Sequence, residues 1–223
     1  MTAADRTAFP DTHDQAGHSA RAHAAAAPGR GAGGPASTRI VVGYGFWIFL
    51  LSDFVLFSCF FATYAVLRSA NAGGPTEGQL FDLGTVGAET AFLLVSSFFG
   101  GMASLAAGAR HLIWFQVMMA LTAACGAAFL GLELNEFARL AAEGAGPQRS
   151  AFLSAFFSLV GCHGIHVSCG LLWLLTMMAQ VYAKGYRADI RRRLLCFALF
   201  WHTLDIIWVA LFSLVYLVGV APR

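Results

Sequence analysis

The chain has few charged residues and no extended basic segment. Only 12% of its 223 residues are charged, while 58% are hydrophobic. Soluble domains average about 25% charged residues. No basic run is interleaved with aromatic side chains, which excludes the usual pattern of a nucleic-acid-binding surface. This composition therefore predicts a protein that crosses a membrane several times.

Paired cysteines are also lacking. The five cysteines lie inside apolar segments and none forms a CxxC pair: Cys59, Cys125, Cys162, Cys169 and Cys196. Cysteines in such surroundings most often behave as small apolar side chains. We therefore predict neither a metal site nor a redox site built on cysteine.

Residues 1–42 lack an apolar run long enough for the core of a signal peptide. They are rich in alanine, glycine and proline, and His13, His18 and His23 recur within them at a spacing of five. A histidine-rich tail can bind metal, but a solvated spacer is the simpler interpretation. We predict a disordered tail over 1–42.

Five segments that follow are long enough to span a membrane at roughly 20 residues per crossing. The pattern predicts an all-α bundle of five transmembrane helices over residues 43–219, with a short turn at 109–111 and a longer loop at 183–193. The predicted spans are 43–67, 86–108, 112–136, 151–182 and 194–218.

Lysine and arginine are distributed unequally between the two ends of these spans. Ten lie on the side of the N-terminal tail and four on the opposite side. Because basic loops stay in the cytoplasm, the N-terminus is predicted to be cytoplasmic and the C-terminus periplasmic.

Eight ionisable residues interrupt the apolar spans, and such residues usually face the protein interior and have a function. A central layer would hold five of them, and an outer layer near the predicted periplasmic face would hold three. The central residues are Asp53, His163, His166, His202 and Asp205, and the outer residues are Glu89, Glu133 and Glu136.

Two interpretations of the histidines stay open at this point. His163–His166 and His202–Asp205 are i,i+3 pairs, so each pair lies on one helix face. Imidazole is the commonest metal ligand, which would suit a membrane haem protein. Alternatively, the four side chains form a buried hydrogen-bonded network that joins the fourth and fifth spans.

Five segments of the chain resemble subunit III of the haem–copper oxidases. They are GFWIFLLSDFVLFSCFFATYAVL (45–67), AETAFLLVSS (88–97), LGLELNEF (130–137), GPQRSAFLSAFFSLVGCHGIHV (146–167) and LFWHTLDIIWVALFSLVYL (199–217). HGIHV and WHTLDIIW are the most specific of these signatures. The five-span form and the start of the second span are most similar to the cytochrome bo-type ubiquinol oxidases.

The resemblance implies an accessory subunit without catalytic, cofactor or metal residues of its own. Haem and copper would belong to subunit I, the main partner, and subunits II and IV and membrane phospholipids would also be neighbours. The eight ionisable residues would be structural or would line a lipid cleft in a V-shaped arrangement of helices. A subunit III of a cytochrome c oxidase is the alternative.

The same resemblance implies a bacterial inner-membrane complex that oxidises ubiquinol and pumps protons, with this subunit supporting proton uptake. One residue departs from many cytochrome c oxidase members, which have Glu where this chain has Asp53. Because Asp is one methylene shorter, no role in proton transfer is carried over to Asp53.

Overall fold

The computed structural model describes residues 37–70 and 83–217, and five long helices account for nearly all of these residues. The helices are α1 (Thr38–Leu67), α2 (Leu83–Gly108), α3 (Leu112–Ala142), α4 (Ala151–Lys184) and α5 (Ala188–Leu211), and a π-helical turn, Phe212–Leu217, continues α5. All five are long and apolar enough to cross a membrane. The predicted all-α membrane bundle is confirmed.

The starts of α1 and α2 differ from the predicted positions. Helix α1 begins at Thr38 because Ile40, Val41 and Val42 extend the apolar segment into what the sequence suggested was tail. Helix α2 begins at Leu83, three residues before the predicted start. The rest of the predicted tail lies outside the described residues.

The predicted loop at 183–193 is wrong, because α4 runs to Lys184 and α5 begins at Ala188. Gly185 makes this short turn with φ of 67°, a left-handed conformation that glycine adopts without a steric penalty. The triplet Arg191–Arg193 therefore lies on the first turns of α5. Tyr186 packs edge-on against Phe115 of α3, and burial raises the pKa of its phenol.

The turns at 109–111 and 185–187 lie at one end of the bundle, which we call the basic end. It carries Arg110, Lys184, Arg187, Arg191, Arg192 and Arg193. Helix α4 has 34 residues and is about 51 Å long at a rise of about 1.5 Å per residue. It therefore exceeds a hydrocarbon core of about 30 Å and must tilt or extend beyond the core.

Helix α5 is the centre of the bundle. It packs against α1, α2 and α4, and 56% of its most apolar stretch is buried, against 11% for α1. Helices α2 and α3 form the most extensive pair, and α3 also packs on α4. The five helices form one connected bundle, while the predicted lipid cleft of a V-shaped arrangement stays a prediction.

Trp201 of α5 is seated between two glycines on neighbouring helices. A Cβ at Gly126 of α3 would lie 3.0 Å from Cη2 of the indole, and a Cβ at Gly170 of α4 would lie 3.0 Å from Cζ3. Small residues allow such close approach between membrane helices. The indole, which is 2% exposed, can reach this position only because both neighbours lack side chains.

This seat predicts opposite effects for two alanine substitutions on α3. Gly126→Ala should lower the stability of the purified chain by about 1–3 kcal/mol, because the added methyl group overpacks the indole and Leu171, 3.1 Å away. Thermal unfolding in one detergent measures the change.

Gly131→Ala is the matched control, because nothing lies within 4 Å of its added Cβ. It should leave stability unchanged or raise it by up to about 1 kcal/mol through helix propensity. An equal response to both substitutions would contradict the proposed seat.

Candidate functional site

The imidazole of His163 lies in the aromatic centre of the bundle. It is fully buried, and its ring centroid lies 5.3 Å from that of Trp208, 5.8 Å from that of Phe129 and 6.3 Å from that of Phe57. Among the described residues, neither ring nitrogen has a hydrogen-bond partner. His163 therefore packs as an aromatic side chain joining α1, α3, α4 and α5.

This packing does not fit a haem ligand. An axial imidazole needs a macrocycle face beside one nitrogen, and rings from three other helices surround His163. Within residues 37–70 and 83–217, no group of three or more His, Cys, Asp or Glu side chains is arranged to hold a metal ion. The rings packed around His163 thus favour a packing role over ligation for this residue.

His166 bonds to its own helix. Its Nδ1 lies 2.7 Å from the carbonyl oxygen of Cys162, one turn earlier, and the ring packs 5.3 Å from Phe57 of α1. Asp53, also on α1, is half-buried and interacts electrostatically with Cys162. These side chains line the contact between α1 and α4.

Three hydrogen bonds join α2 to α5, and we call them the α2–α5 ladder. Trp208 Nε1 donates to Thr90 Oγ1 (3.1 Å), Trp201 Nε1 donates to Ser96 Oγ (3.0 Å), and Ser97 Oγ shares a bond with His202 Nδ1 (2.7 Å). Residue numbers rise on α2 as they fall on α5, so the two helices run antiparallel. Ser96 also donates to the Thr122 carbonyl at 3.4 Å, which adds α3 to the junction.

Asp205 lies one turn after His202 and is 7% exposed. Its Oδ2 is 3.9 Å from His202 Nδ1, and neither carboxyl oxygen has a hydrogen-bond partner among the described residues. The His202 side chain is 44% exposed. The pair therefore presents an imidazole at the bundle surface with a carboxyl group buried behind it.

The structure thus distributes the four predicted network residues differently from the expectation. His202 bonds to α2, His166 bonds within α4, and His163 packs among aromatic rings. In the interior of the described bundle the interhelical side-chain hydrogen bonds of α5 run to α2, while Arg193 at its exposed start donates to Gln180 of α4. The hydrogen bonds of Thr90, Ser96 and Ser97 were not predicted. In the sequence these residues stand out only as small polar side chains on α2, six and seven positions apart.

The three predicted outer carboxylates are brought together at the end opposite the basic end. Glu89 of α2 interacts electrostatically with Glu133 and Glu136 of α3, and Tyr216 lies close to all three. Arg139 Nη2 and Nε donate to the two oxygens of Glu136 at 2.5 and 3.1 Å. Arg139 therefore compensates this acidic cluster from its rim.

Comparison with known proteins identifies the family. Residues 31–220 match the family described as cytochrome c oxidase subunit III. The chain belongs to the cytochrome c oxidase subunit III family. The family match covers all the described helices, including the α2–α5 ladder and the acidic cluster.

Similar members of this subunit III family carry two kinds of name. The chain is 53% identical over 180 residues to the cytochrome bo(3) ubiquinol oxidase subunit 3 of Pseudomonas aeruginosa, covering 79% of this chain and 84% of that one. It is 39% identical to the quinol oxidase subunit 3 of Bacillus subtilis (78% and 86% covered) and 40% identical to the cytochrome c oxidase subunit 3 of Bacillus sp. PS3 (78% and 84% covered).

The Arg139–Glu136 pair predicts a measurable coupling. Arg139→Gln should destabilise the chain by about 1–3 kcal/mol, because the largely buried Glu136 carboxylate loses its charged donors beside two other carboxyl groups. Glu136→Gln in the same chain should restore most of the loss. A double-mutant cycle of unfolding free energies tests this, and additive effects of the two substitutions would refute the pairing.

Proposed function

We propose that the chain is the accessory subunit III of a proton-pumping ubiquinol oxidase in a bacterial inner membrane. In this role it stabilises the catalytic subunit and bound lipid and supports proton uptake, without a redox centre of its own. The observation that carries the proposal is the match to a ubiquinol oxidase subunit 3 at 53% identity over 180 residues, 79% of this chain. The cytochrome c oxidase subunit 3 of Bacillus sp. PS3 is 40% identical, less than this ubiquinol oxidase subunit 3, so the cytochrome c alternative is not better supported.

The distribution of basic residues supports an orientation. The basic end carries five arginines and Lys184 on two short turns and the first turns of α5. Basic residues close to span ends favour the cytoplasmic side. We place this end in the cytoplasm, which puts the N-terminus of α1 there and the acidic cluster near the periplasm.

A stripe on α5 suggests where the catalytic subunit docks. His202, Ile206 and Val209 are spaced as one helix face, and Ile206 and Val209 are 59% and 43% exposed. An ionisable side chain facing lipid in the middle of a span is costly. Coverage of this stripe by subunit I would remove the imidazole from lipid.

Deletion of the gene tests the proposed role. We expect the remaining oxidase to assemble poorly or to lose activity over many turnovers, because the catalytic subunit loses its support. Subunit content and oxygen consumption over time are the measurements. A deletion strain whose oxidase assembles fully and keeps its activity would contradict the proposal.

If this stripe binds the catalytic subunit, changes at His202 or at Asp205 behind it should weaken the attachment of this chain to the complex. His202→Ala or Asp205→Ala should reduce retention of this subunit during purification while leaving haem spectra unchanged. His202→Ala removes the imidazole of the stripe and its hydrogen bond to Ser97, a loss of about 0.5–1.5 kcal/mol. Asp205→Ala removes the carboxyl group that lies 3.9 Å behind this imidazole. The measurement is the ratio of this chain to haem in the purified complex.

His111→Ala is the matched control, because His111 is exposed in the 109–111 turn, and its retention should equal that of the wild type. Loss of a haem band in either α5 variant would count against a purely structural role for this pair.

A further inference from the structure

Two carboxyl groups of the acidic cluster lie inside the bundle without a counter-charge among the described residues. Glu89 of α2 is 2% exposed and Glu133 of α3 is 3% exposed. In the described part of the chain, neither Glu89 Oε1 nor Glu133 Oε2 has a hydrogen-bond partner. Burial without such partners makes the anionic form of a carboxyl group costly, because its hydration is lost and nothing replaces it.

The neighbours of these two carboxyl groups add to that cost. Glu133 interacts electrostatically with Glu89 and with Glu136, and Glu89 also interacts with Glu136. From the π-helical turn, Tyr216 lies close to all three carboxyl groups, and Tyr64 of α1 lies close to Tyr216. A tyrosine phenol is neutral at neutral pH, so these rings supply no positive charge to the pair.

Arg139 serves the third carboxyl group of the cluster. Its Nη2 and Nε donate to the two oxygens of Glu136, and its Nη1 donates to Glu143 at 3.4 Å. Such a two-pronged contact favours the anionic form of Glu136. Among the described residues, Glu89 and Glu133 form no ion pair with Arg139 or with Arg68 at the end of α1.

The pair suits a proton better than a metal ion. Over residues 37–70 and 83–217, no group of three or more His, Cys, Asp or Glu side chains is arranged to hold a metal ion. A proton needs only one carboxyl oxygen. Two carboxyl groups that cannot both ionise commonly retain a proton, because it removes the repulsion between them.

The rim of the cluster connects this pair to solvent. The side chain of Glu136 is 11% exposed, that of Arg139 is 41% exposed, and that of Glu143, at the end of α3, is 55% exposed. Polar side chains of increasing exposure thus lead from the buried pair to the end of the bundle. The pair is buried, but it lies next to a route along which protons can move.

We propose that Glu89 and Glu133 form a proton-binding site, which holds a proton at neutral pH and exchanges it with water at this end of the bundle. The inference rests on the proposed function only in placing this end at the periplasmic face. Carboxyl groups within membrane spans are typical of proton-binding positions. Loss of the proton would leave an unpaired anion between α2 and α3, so the site binds α2 to α3 only while it is protonated.

Infrared spectroscopy of the intact, detergent-purified oxidase tests for the proton directly. A protonated carboxyl group absorbs in a carbonyl-stretch region apart from that of carboxylates. At neutral pH, subtracting the spectrum of the variant Glu89→Gln/Glu133→Gln from that of the wild type should leave such a band, and the band should shift in heavy water. Equal spectra in this region overturn the site, and a band that never shifts in heavy water overturns the exchange.

Glu136→Gln is the matched control within the cluster. The Glu136 carboxylate is bound by Arg139, so its replacement should leave the carbonyl band in place. A band that disappears in Glu136→Gln but persists in Glu89→Gln/Glu133→Gln would assign the proton to Glu136 and overturn the proposal.

The pH dependence of stability gives a second, independent measurement on the purified full-length chain. The folded chain retains a proton that the unfolded chain has lost, so stability falls as the pH rises above neutral. The unfolding equilibrium constant should increase by up to about tenfold per pH unit for each retained proton. Glu89→Gln/Glu133→Gln has no such proton and should lose less stability over the same range.

Glu143→Gln, at an exposed position, should follow the wild type in this measurement. The same pH dependence in the wild type and in Glu89→Gln/Glu133→Gln overturns the proposal. So does a chelator that destabilises the wild type but not this double variant, because the pair would then hold a metal ion.

These outcomes separate the inference from the proposed function. A complex that contains this chain and turns over normally, but lacks the carbonyl band, overturns the proton site alone. A chain that shows the band but never co-purifies with haem-containing subunits overturns the proposed function and supports the proton site.

Discussion

The burial of one indole organises the bundle. Trp201 of α5 lies against the backbone of α3 at Gly126 and of α4 at Gly170, and its N–H donates to Ser96 of α2. In lipid the hydrophobic effect does not drive helices together, so close packing and hydrogen bonds decide which helices associate. The Trp201 side chain, with its N–H hydrogen-bonded, thereby holds α2, α3, α4 and α5 together. Helix α1 packs on α4 and α5.

From this centre the two ends of the bundle differ. Toward the end that carries the acidic cluster, the α2–α5 ladder continues to Thr90 and Trp208, and aromatic rings around His163 fill the interior. Toward the basic end the ladder stops and the helices leave a groove. The same antiparallel pair thus provides a closed, packed half and an open half.

Hydropathy and the cost of charge in lipid predicted five spans and interior positions for the eight ionisable residues. Five of the eight are buried, namely Glu89, Glu133, Glu136, His163 and Asp205, whereas Asp53, His166 and His202 are only partly buried. It did not predict which partners the polar groups would find. Ser97 and His202 are 105 positions apart, and an i,i+3 spacing indicates a helix face but not the helix it meets. The sequence could not show whether His163 is a metal ligand or a packed aromatic ring. The answer depends on its contacts with Phe57, Phe129 and Trp208, which come from three other helices.

We propose that the imidazoles of this subunit serve packing and docking, and that haem absorbance and electron transfer belong to other subunits. The decisive measurement is the visible absorption spectrum of the full-length chain, expressed and purified without the other oxidase subunits from cells supplied with haem. We expect a helical, colourless protein. A stable haem band from the isolated chain, lost on substitution of His163, His166 or His202, would contradict it.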